Sequence, residues 1–180
     1  MLTANEFWAL SQSLYAAPAV QSACLLAQHQ HGAEVNLLLL LALLQTRGWQ
    51  GSYRPLVYAA APLLPVLQDW RLLRRALKPK LAPSDYARLL THELSLERQM
   101  QQRLLAALEA QPCSDAHSTA PGTPDPDTTK PGSALADYLQ SIGVATPQRQ
   151  DLMALLLAQA SIIHTAGSTP LPPLSEGSPC

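Results

Sequence analysis

Residues 84–111 read SDYARLLTHELSLERQMQQRLLAALEAQ, and their spacing predicts one long helix. Glu93 and Glu97 fall almost on the centre line of an apolar stripe along this helix. At about 100° per residue, the stripe is made up of Tyr86, Leu89, Leu90, Met100, Leu104 and Leu108. Carboxylates are rarely buried unless they are paired, because an unpaired buried charge is strongly unfavourable. The stripe therefore predicts cationic partners for both glutamates.

The segment before this helix supplies three arginines. A helix is predicted from Pro65 to Lys78, and Arg74 flanks its apolar seam, whereas Arg71 and Arg75 lie further out. If the two helices pair in antiparallel orientation, Arg74 comes within reach of either glutamate. The predicted buried seam consists of Val66, Trp70, Leu73 and Leu77.

The rest of the chain also has helical patterns, so an all-α fold is expected. Leu and Ala dominate, while aromatic residues make up only 5% of the sequence, and this mix favours helices over strands. Thr3 and Glu6 have the spacing of a capping box that starts a first helix, and Gly32 is placed to end a second. The stretch from Ala33 to Gln45 is apolar nearly all round, which predicts a helix at the centre of the bundle. Residues 49–55 are expected to form a loop, with Gly48, Gly51 and Pro55 as helix breakers.

Composition divides the chain into four parts. Residues 1–111 are expected to form a compact bundle of about five helices. Residues 112–133 are rich in Pro, Ser, Thr, Asp and Gly, which is typical of a disordered linker. Residues 134–166 are expected to form a C-terminal pair of helices, the second of them starting at Pro147. Residues 167–180 have no core potential and are expected to form a disordered tail.

Charge and cysteine usage indicate the compartment. The net charge of −1 argues against a general polyanion binder. The three cysteines follow no metal or redox spacing, which fits free thiols in a reducing compartment. The N-terminus lacks the pattern of a secretory signal, and the apolar run from Leu37 to Leu44 is too short to span a bilayer. A cytoplasmic protein without a membrane span is expected.

Glu93 and Glu97 are the first candidates for chemistry, because residues four apart are neighbours on a helix face. Such a pair could meet arginines, hold a metal ion or act as acid and base. A di-iron bundle would need Glu-x-x-His on partner helices, and the sequence contains no such motif. Arginine forms bidentate bonds with carboxylates that tolerate burial. A structural ion-pair cluster is therefore favoured, and no metal, cofactor or catalytic residue is predicted.

A second polar group surrounds the turn at Gly32. Gln28 falls on or near the face of Cys24, and Asn36 is embedded among apolar residues. Buried polar groups must find hydrogen bonds, so one interpretation is that Gln28 or Asn36 ties the turn to a neighbouring helix. The other is that both line a pocket together with the two glutamates. Cys24 itself is expected to be inert in apolar surroundings.

A basic patch could contact nucleic acid or the ribosome. The near-zero net charge and the lack of interleaved aromatic residues argue against this function. The sequence also has no glycine-rich phosphate loop, no Gly-x-Ser-x-Gly and no Cys/His cluster. The patch consists of Arg71, Arg74, Arg75, Lys78 and Lys80.

Several of these residues belong to a longer pattern. Between about Asn5 and Leu108 it comprises Phe7-Trp8, Leu14-Tyr15, Ala23-Cys24-Leu25, Gln28, Gly32, Val35-Asn36-Leu37-Leu38-Leu39, Trp70, Leu73-Arg74-Arg75, Lys78 and Glu93-Leu94-x-x-Glu97-Arg98. The pattern resembles an uncharacterised family of small proteobacterial proteins that carries only a domain-of-unknown-function label. The chain departs from it at Ala19, where glycine is expected, and at Glu34. The resemblance implies an all-helical cytoplasmic protein without an established activity, and it transfers no catalytic residue.

The favoured function is a non-enzymatic binding or adaptor protein in which the Arg/Glu cluster fixes helix pairing. Another protein would dock on the apolar helix near Leu152 to Ile163, or on the basic patch. One alternative is a small-ligand-binding protein or an enzyme with a polar pocket between helices, and another is nucleic-acid or ribosome association through residues 71–80. The candidate binding residues are Gln28, Asn36, Trp70, Arg71, Arg74, Arg75, Glu93 and Glu97.

Overall fold

Helices are the regular elements of the described chain. The computed structural model describes residues 2–111 and 133–167, and this part of the chain contains no strand. In chain order the helices are α1 (Ala4–Tyr15), α2 (Pro18–His31), α3 (Val35–Thr46), α4 (Arg54–Ala60), α5 (Leu64–Leu77), α6 (Pro83–Glu109), α7 (Ala134–Ser141) and α8 (Thr146–Gly167). The all-α prediction is confirmed. The linker predicted at residues 112–133 and the tail predicted at 167–180 lie, apart from Ser133 and Gly167, outside the described residues.

The helix ends follow local sequence signals. Thr3 and Glu6 form the predicted capping box, with the backbone N–H of Thr3 donating to the Glu6 carboxylate at 2.8 Å. Gly32 ends α2 with φ +67°, a left-handed conformation that suits glycine because it has no Cβ. These two signals fix the ends of the helices that flank the candidate site.

Helix α3 lies at the centre of the bundle, as its all-round apolar sequence predicts. Every residue from 36 to 44 is buried, and α3 packs against α1, α2, α6, α7 and α8. Burial of one leucine side chain stabilises the fold by about 1.5–3 kcal/mol. The seven leucines between residues 37 and 44 are all buried and therefore form the main apolar core.

The two C-terminal helices share that core. Helix α8 packs against α1, α2 and α3, and α7 packs against α3. Leu139 and Leu156 are completely buried in the same hydrophobic cluster as the central helix. The apolar face near Leu152 to Ile163 is therefore largely covered by the bundle itself, since Leu152, Leu156 and Ala160 are buried. This face does not provide the open docking surface that its sequence suggested.

One local expectation is wrong. The short helix α4 begins at Arg54, inside the loop predicted for residues 49–55, and it brings the number of α-helices in residues 2–111 to six, in line with the expected bundle of about five. Pro55 lies in the first turn of α4, where proline starts a helix instead of breaking it.

Within residues 2–111 and 133–167, no helix combines the length and apolar character needed to cross a bilayer.

Candidate functional site

Helices α5 and α6 supply the predicted ion pairs. Arg74 Nε and Nη2 donate to the two carboxylate oxygens of Glu93, the Nη2 bond measuring 3.2 Å. Arg71 Nη2 donates to Glu97 Oε1 at 2.7 Å, and its Nε lies 3.8 Å from Glu93 Oε1. The earlier arginine of α5 thus pairs with the later glutamate of α6, as expected for two antiparallel helices. Both glutamates have the cationic partners that the apolar stripe predicts.

The rotation of α5 differs from the expected one. Arg71 was expected to lie away from the buried face, yet its side chain is only 11% exposed. Val66 and Leu73, assigned to the buried seam, are 50% and 49% exposed, and Leu67 is completely buried instead. The two arginine–glutamate pairs lie on the side of α5 that faces α6, where their charge-assisted hydrogen bonds join the two helices.

Arg74 is held by several groups. Its Nη1 donates to the Tyr86 hydroxyl, and its guanidinium carbon lies 5.6 Å from the centre of the Tyr86 ring. The hydrogen bonds that Arg74 donates to the Glu93 carboxylate raise the pKa of Arg74 above its ordinary value. Arg74 therefore stays fully charged and positions Glu93 rather than serving as a free ligand-binding group.

A buried polar network lies beside the ion pairs. Gln101 Nε2 donates to Asn36 Oδ1 at 2.9 Å and to Ser11 Oγ at 3.2 Å. Asn36 Nδ2 in turn donates to Glu34 Oε1 at 2.8 Å, and Ser11 Oγ donates to the Phe7 carbonyl at 2.6 Å. Asn36 is thus buried and hydrogen-bonded both to Gln101 of α6 and to Glu34. Gln101, Ser11 and Glu34 were not identified from the sequence as members of this site.

Glu34 is almost fully buried at the start of α3. Its side chain caps the helix by accepting from the Asn36 backbone N–H at 3.0 Å, while Oε2 is buried without a hydrogen-bond partner among the described residues. Burial raises the pKa of Glu34 above its ordinary value. The backbone N–H of Glu34 donates to the Tyr138 hydroxyl at 2.9 Å, and burial raises the pKa of Tyr138 to about 12.

The ion pairs and the polar network open onto one groove. This groove has a volume of about 610 Å³ and is walled mainly by α1, α2, α3, α5 and α6. Seven of the eight candidate binding residues line it, namely Gln28, Asn36, Arg71, Arg74, Arg75, Glu93 and Glu97. Its other walls are formed chiefly by Trp8, Tyr15, Leu25, Val35, Leu39, Leu90, Leu94 and Gln101. The arrangement therefore joins a charged wall to apolar and aromatic walls.

Trp70 is the candidate residue that does not line the groove. Its indole N–H donates to the Leu89 carbonyl at 3.2 Å, and its ring lies 4.4 Å from the His92 ring. These contacts join α5 to α6 beside the arginine–glutamate pairs. Trp70 is therefore a structural contact between the two helices.

Other candidates lose support from their surroundings. Arg71 and Arg74 are engaged by glutamates, so the basic patch has fewer free charges than its sequence suggests. Cys24 is completely buried, and burial raises its thiol pKa to about 12, in line with its expected inertness. Among residues 2–111 and 133–167, no cluster of His, Cys, Asp and Glu has the makings of a metal site. A second, smaller cavity of about 380 Å³ lies between α2 and α8.

Comparison with protein families covers the part of the chain that builds the groove. Residues 6–104 match the family described as "Protein of unknown function (DUF2390)". The chain belongs to this family. Every groove-lining residue of this DUF2390 protein falls inside the matched range, whereas α7 and α8 lie beyond it. Neither curated proteins nor solved structures gave a significant match.

Proposed function

We propose that this DUF2390 protein is a cytoplasmic, non-catalytic binding protein whose groove takes up a small ligand. The observation that carries the proposal is the convergence of seven polar candidate residues, from four helices, on one groove of about 610 Å³. Ligand sites in proteins have volumes of about 300–1,000 Å³ and combine apolar walls with a few placed polar groups. The groove has both properties.

Two unsatisfied polar atoms support a binding role. Arg71 Nη1 and Gln101 Oε1 are buried and have no hydrogen-bond partner among the described residues, and both side chains line the groove. A buried donor or acceptor without a partner costs about 1–3 kcal/mol. A ligand that supplies the missing partners after a small side-chain adjustment would recover that free energy.

The hydrogen bonds that Glu93 and Glu97 accept from arginines support a role without catalysis. Both oxygens of Glu93 accept from Arg74, and Glu97 accepts from Arg71. A general base needs a carboxylate oxygen that can reach the proton it abstracts. These bonds favour binding over acid–base chemistry. The buried free thiol of Cys24 fits a reducing compartment such as the cytoplasm.

The test is a thermal-shift screen of a chemically diverse collection of small metabolites against three forms of the protein. Wild type is compared with Leu94→Trp, which places a bulky ring at the groove, and with the matched control Leu72→Trp. Leu94 is 46% exposed and lines the groove, whereas Leu72 is 64% exposed and lies outside it. Both positions are exposed enough for the added volume to leave the core intact.

We expect compounds that raise the melting temperature of wild type and of Leu72→Trp, and that lose this effect in Leu94→Trp. Ligand that binds only the folded state stabilises it by mass action, by about 2.7 kcal/mol at a hundredfold excess over Kd. A screen without hits, or hits that stabilise Leu94→Trp equally, would overturn the proposed function.

A further inference from the structure

The groove carries an excess of positive charge on one wall. Arg71, Arg74 and Arg75 line it together with two glutamates, which gives that wall a formal charge of +1. Arg74 is fully engaged by Glu93 and Tyr86. The charge that remains for a ligand therefore belongs to Arg71 and Arg75.

Arg75 is the available cation. It is exposed on α5, lines the groove and makes no ion pair or hydrogen bond with the described residues. Arg71 lies one turn before it on the same face of the helix. Guanidinium groups bind carboxylates and phosphates through paired, charge-assisted hydrogen bonds. Two arginines on successive turns thus offer a site for one anionic group.

Arg71 has unused hydrogen-bonding capacity for the same group. Its Nη2 is bonded to Glu97, but its Nη1 is buried without an acceptor among the described residues. The guanidinium lies close to both glutamates, so its charge is shared between them. An incoming anion would compete with Glu97 for Arg71 while it gains Arg75.

The rest of the groove lining includes side chains suited to an apolar body. Leu90 and Leu94 face the groove from α6 although they are 37% and 46% exposed, and Leu25 and Leu39 line it from α2 and α3. Trp8 and Tyr15 add aromatic surface from α1. Apolar side chains left exposed beside a charged wall match a ligand with an apolar part and an anionic end.

We propose that the ligand is an amphipathic organic anion, with its carboxylate or phosphate held by Arg71 and Arg75 and its apolar body against the leucine and aromatic walls. This inference rests on the proposed function. Such a ligand differs from a neutral one of the same shape only in its anionic group, so a comparison of the two measures the contribution of that group to binding.

The test uses isothermal titration calorimetry of the full chain at neutral pH with four probes of similar shape: naphthoate, naphthyl phosphate, naphthylmethylammonium and naphthol. We expect the two anions to bind at least about tenfold more tightly than naphthol, and the cation naphthylmethylammonium to bind more weakly than naphthol. A comparison of naphthoate with naphthyl phosphate shows which anionic group fits better.

Charge variants locate the anion. Arg75→Gln is expected to weaken naphthoate binding about tenfold, while the control Lys80→Gln removes an exposed cation outside the groove without this effect. Glu97→Gln keeps an acceptor for Arg71 but removes the competing charge, so it is expected to tighten binding. An unfolded variant cannot produce that gain.

The outcomes separate the two proposals. Equal affinity for naphthoate and naphthol, with both lost in Leu94→Trp, overturns the anion assignment and leaves the groove as a neutral-ligand site. Loss of binding that is the same in Arg75→Gln and Lys80→Gln also overturns the assignment. If none of the probes binds, or if all bind Leu94→Trp as well as wild type, the anion assignment fails together with the groove as its site.

Discussion

Arg71 and Glu97 lie on adjacent helices with Nη2 and Oε1 2.7 Å apart, and the arginine side chain is only 11% exposed. The same guanidinium keeps its Nη1 buried without a partner among the described residues. Most buried donors in folded proteins are hydrogen-bonded, so a buried donor without a partner needs an explanation. The residual donor is what connects this ion pair to the binding role proposed for the groove.

The pair formed by Arg74 and Glu93 is expected to contribute strongly to stability. Arg74→Met and Glu93→Gln should each lower the free energy of unfolding by about 3 kcal/mol, because each leaves a largely buried charge without its main partner. The double variant should show a coupling energy above about 1 kcal/mol. Urea denaturation of wild type and the three variants measures this coupling.

The surface pair of Asp85 and Arg88 provides the control cycle. Their charged atoms are 3.7 Å apart, with side chains 53% and 84% exposed. Exposed pairs contribute about 0–1 kcal/mol, so this coupling should be much smaller. Equal couplings in the two cycles would mean that burial adds nothing to the Arg74–Glu93 pair.

Gln101 is expected to hold the buried network together. Gln101→Leu removes the donor to Asn36 and leaves that amide oxygen unpaired, so the free energy of unfolding should fall by about 1–3 kcal/mol. Gln102→Leu, at the neighbouring exposed position, is the matched control and should change little. Chemical denaturation with intrinsic fluorescence measures both. A loss no larger at 101 than at 102 would rule out a structural role for the network.

Glu34 is expected to make stability depend on pH. Because burial raises its folded-state pKa above the unfolded value of 4.5, the folded protein binds the proton more tightly. The resulting stabilisation is complete below that value and is lost as the pH rises through the folded pKa. Glu34→Gln removes this effect, so its stability relative to wild type should increase from about pH 4 to about pH 7.

Unfolding free energies across this pH range, measured by urea titration, check the Glu34 prediction. Glu109→Gln, at an exposed position near the end of α6, is the control. A difference between Glu34→Gln and wild type that stays constant with pH, or that changes no more than the difference measured for Glu109→Gln, would show that Glu34 has no raised pKa.

Helix α8 is expected to be part of the cooperative core. Leu156 is completely buried, so Leu156→Ala should lower the free energy of unfolding by about 2–5 kcal/mol through lost burial and a residual cavity. Ile162, on the same helix, is 59% exposed, and Ile162→Ala should change stability by no more than about 0.5 kcal/mol. Equal, small effects of both changes in thermal unfolding would mean that α8 does not pack on the bundle.

The sequence predicted the fold class and most helix ends because these depend on local signals. The central position of α3 follows from its all-round apolar surface. Gly32 marks the end of α2 because glycine favours the left-handed conformation found there. The short α4 was missed because Pro55 was interpreted as a breaker, although proline is favoured in the first turn of a helix.

The rotation of α5 was not predictable from periodicity alone. The apolar residues Val66 and Leu73 favour one buried face, but the ion pairs of Arg71 and Arg74 draw another face onto α6. Sequence patterns rank positions by hydrophobicity and do not weigh it against charge pairing across helices. Arg71 was therefore placed too far from the contact.

Gln101 had a signal that could have been used. It follows Glu97 by four residues, as Glu97 follows Glu93, so the three polar side chains lie along one side of α6. Its partner Asn36 is 65 positions away in the chain. That contact depends on tertiary packing, which local periodicity does not contain.

The central claim, that the groove lined by Arg71, Arg75 and Gln101 binds an organic anion, is tested most directly by a nuclear magnetic resonance titration with naphthoate. We predict saturable shifts of the arginine Nε–Hε signals of residues 71 and 75 and of the Gln101 side-chain amide. Saturable shifts confined to Leu26 and Leu155, in the cavity between α2 and α8, or no saturable shift at the groove residues, would contradict it.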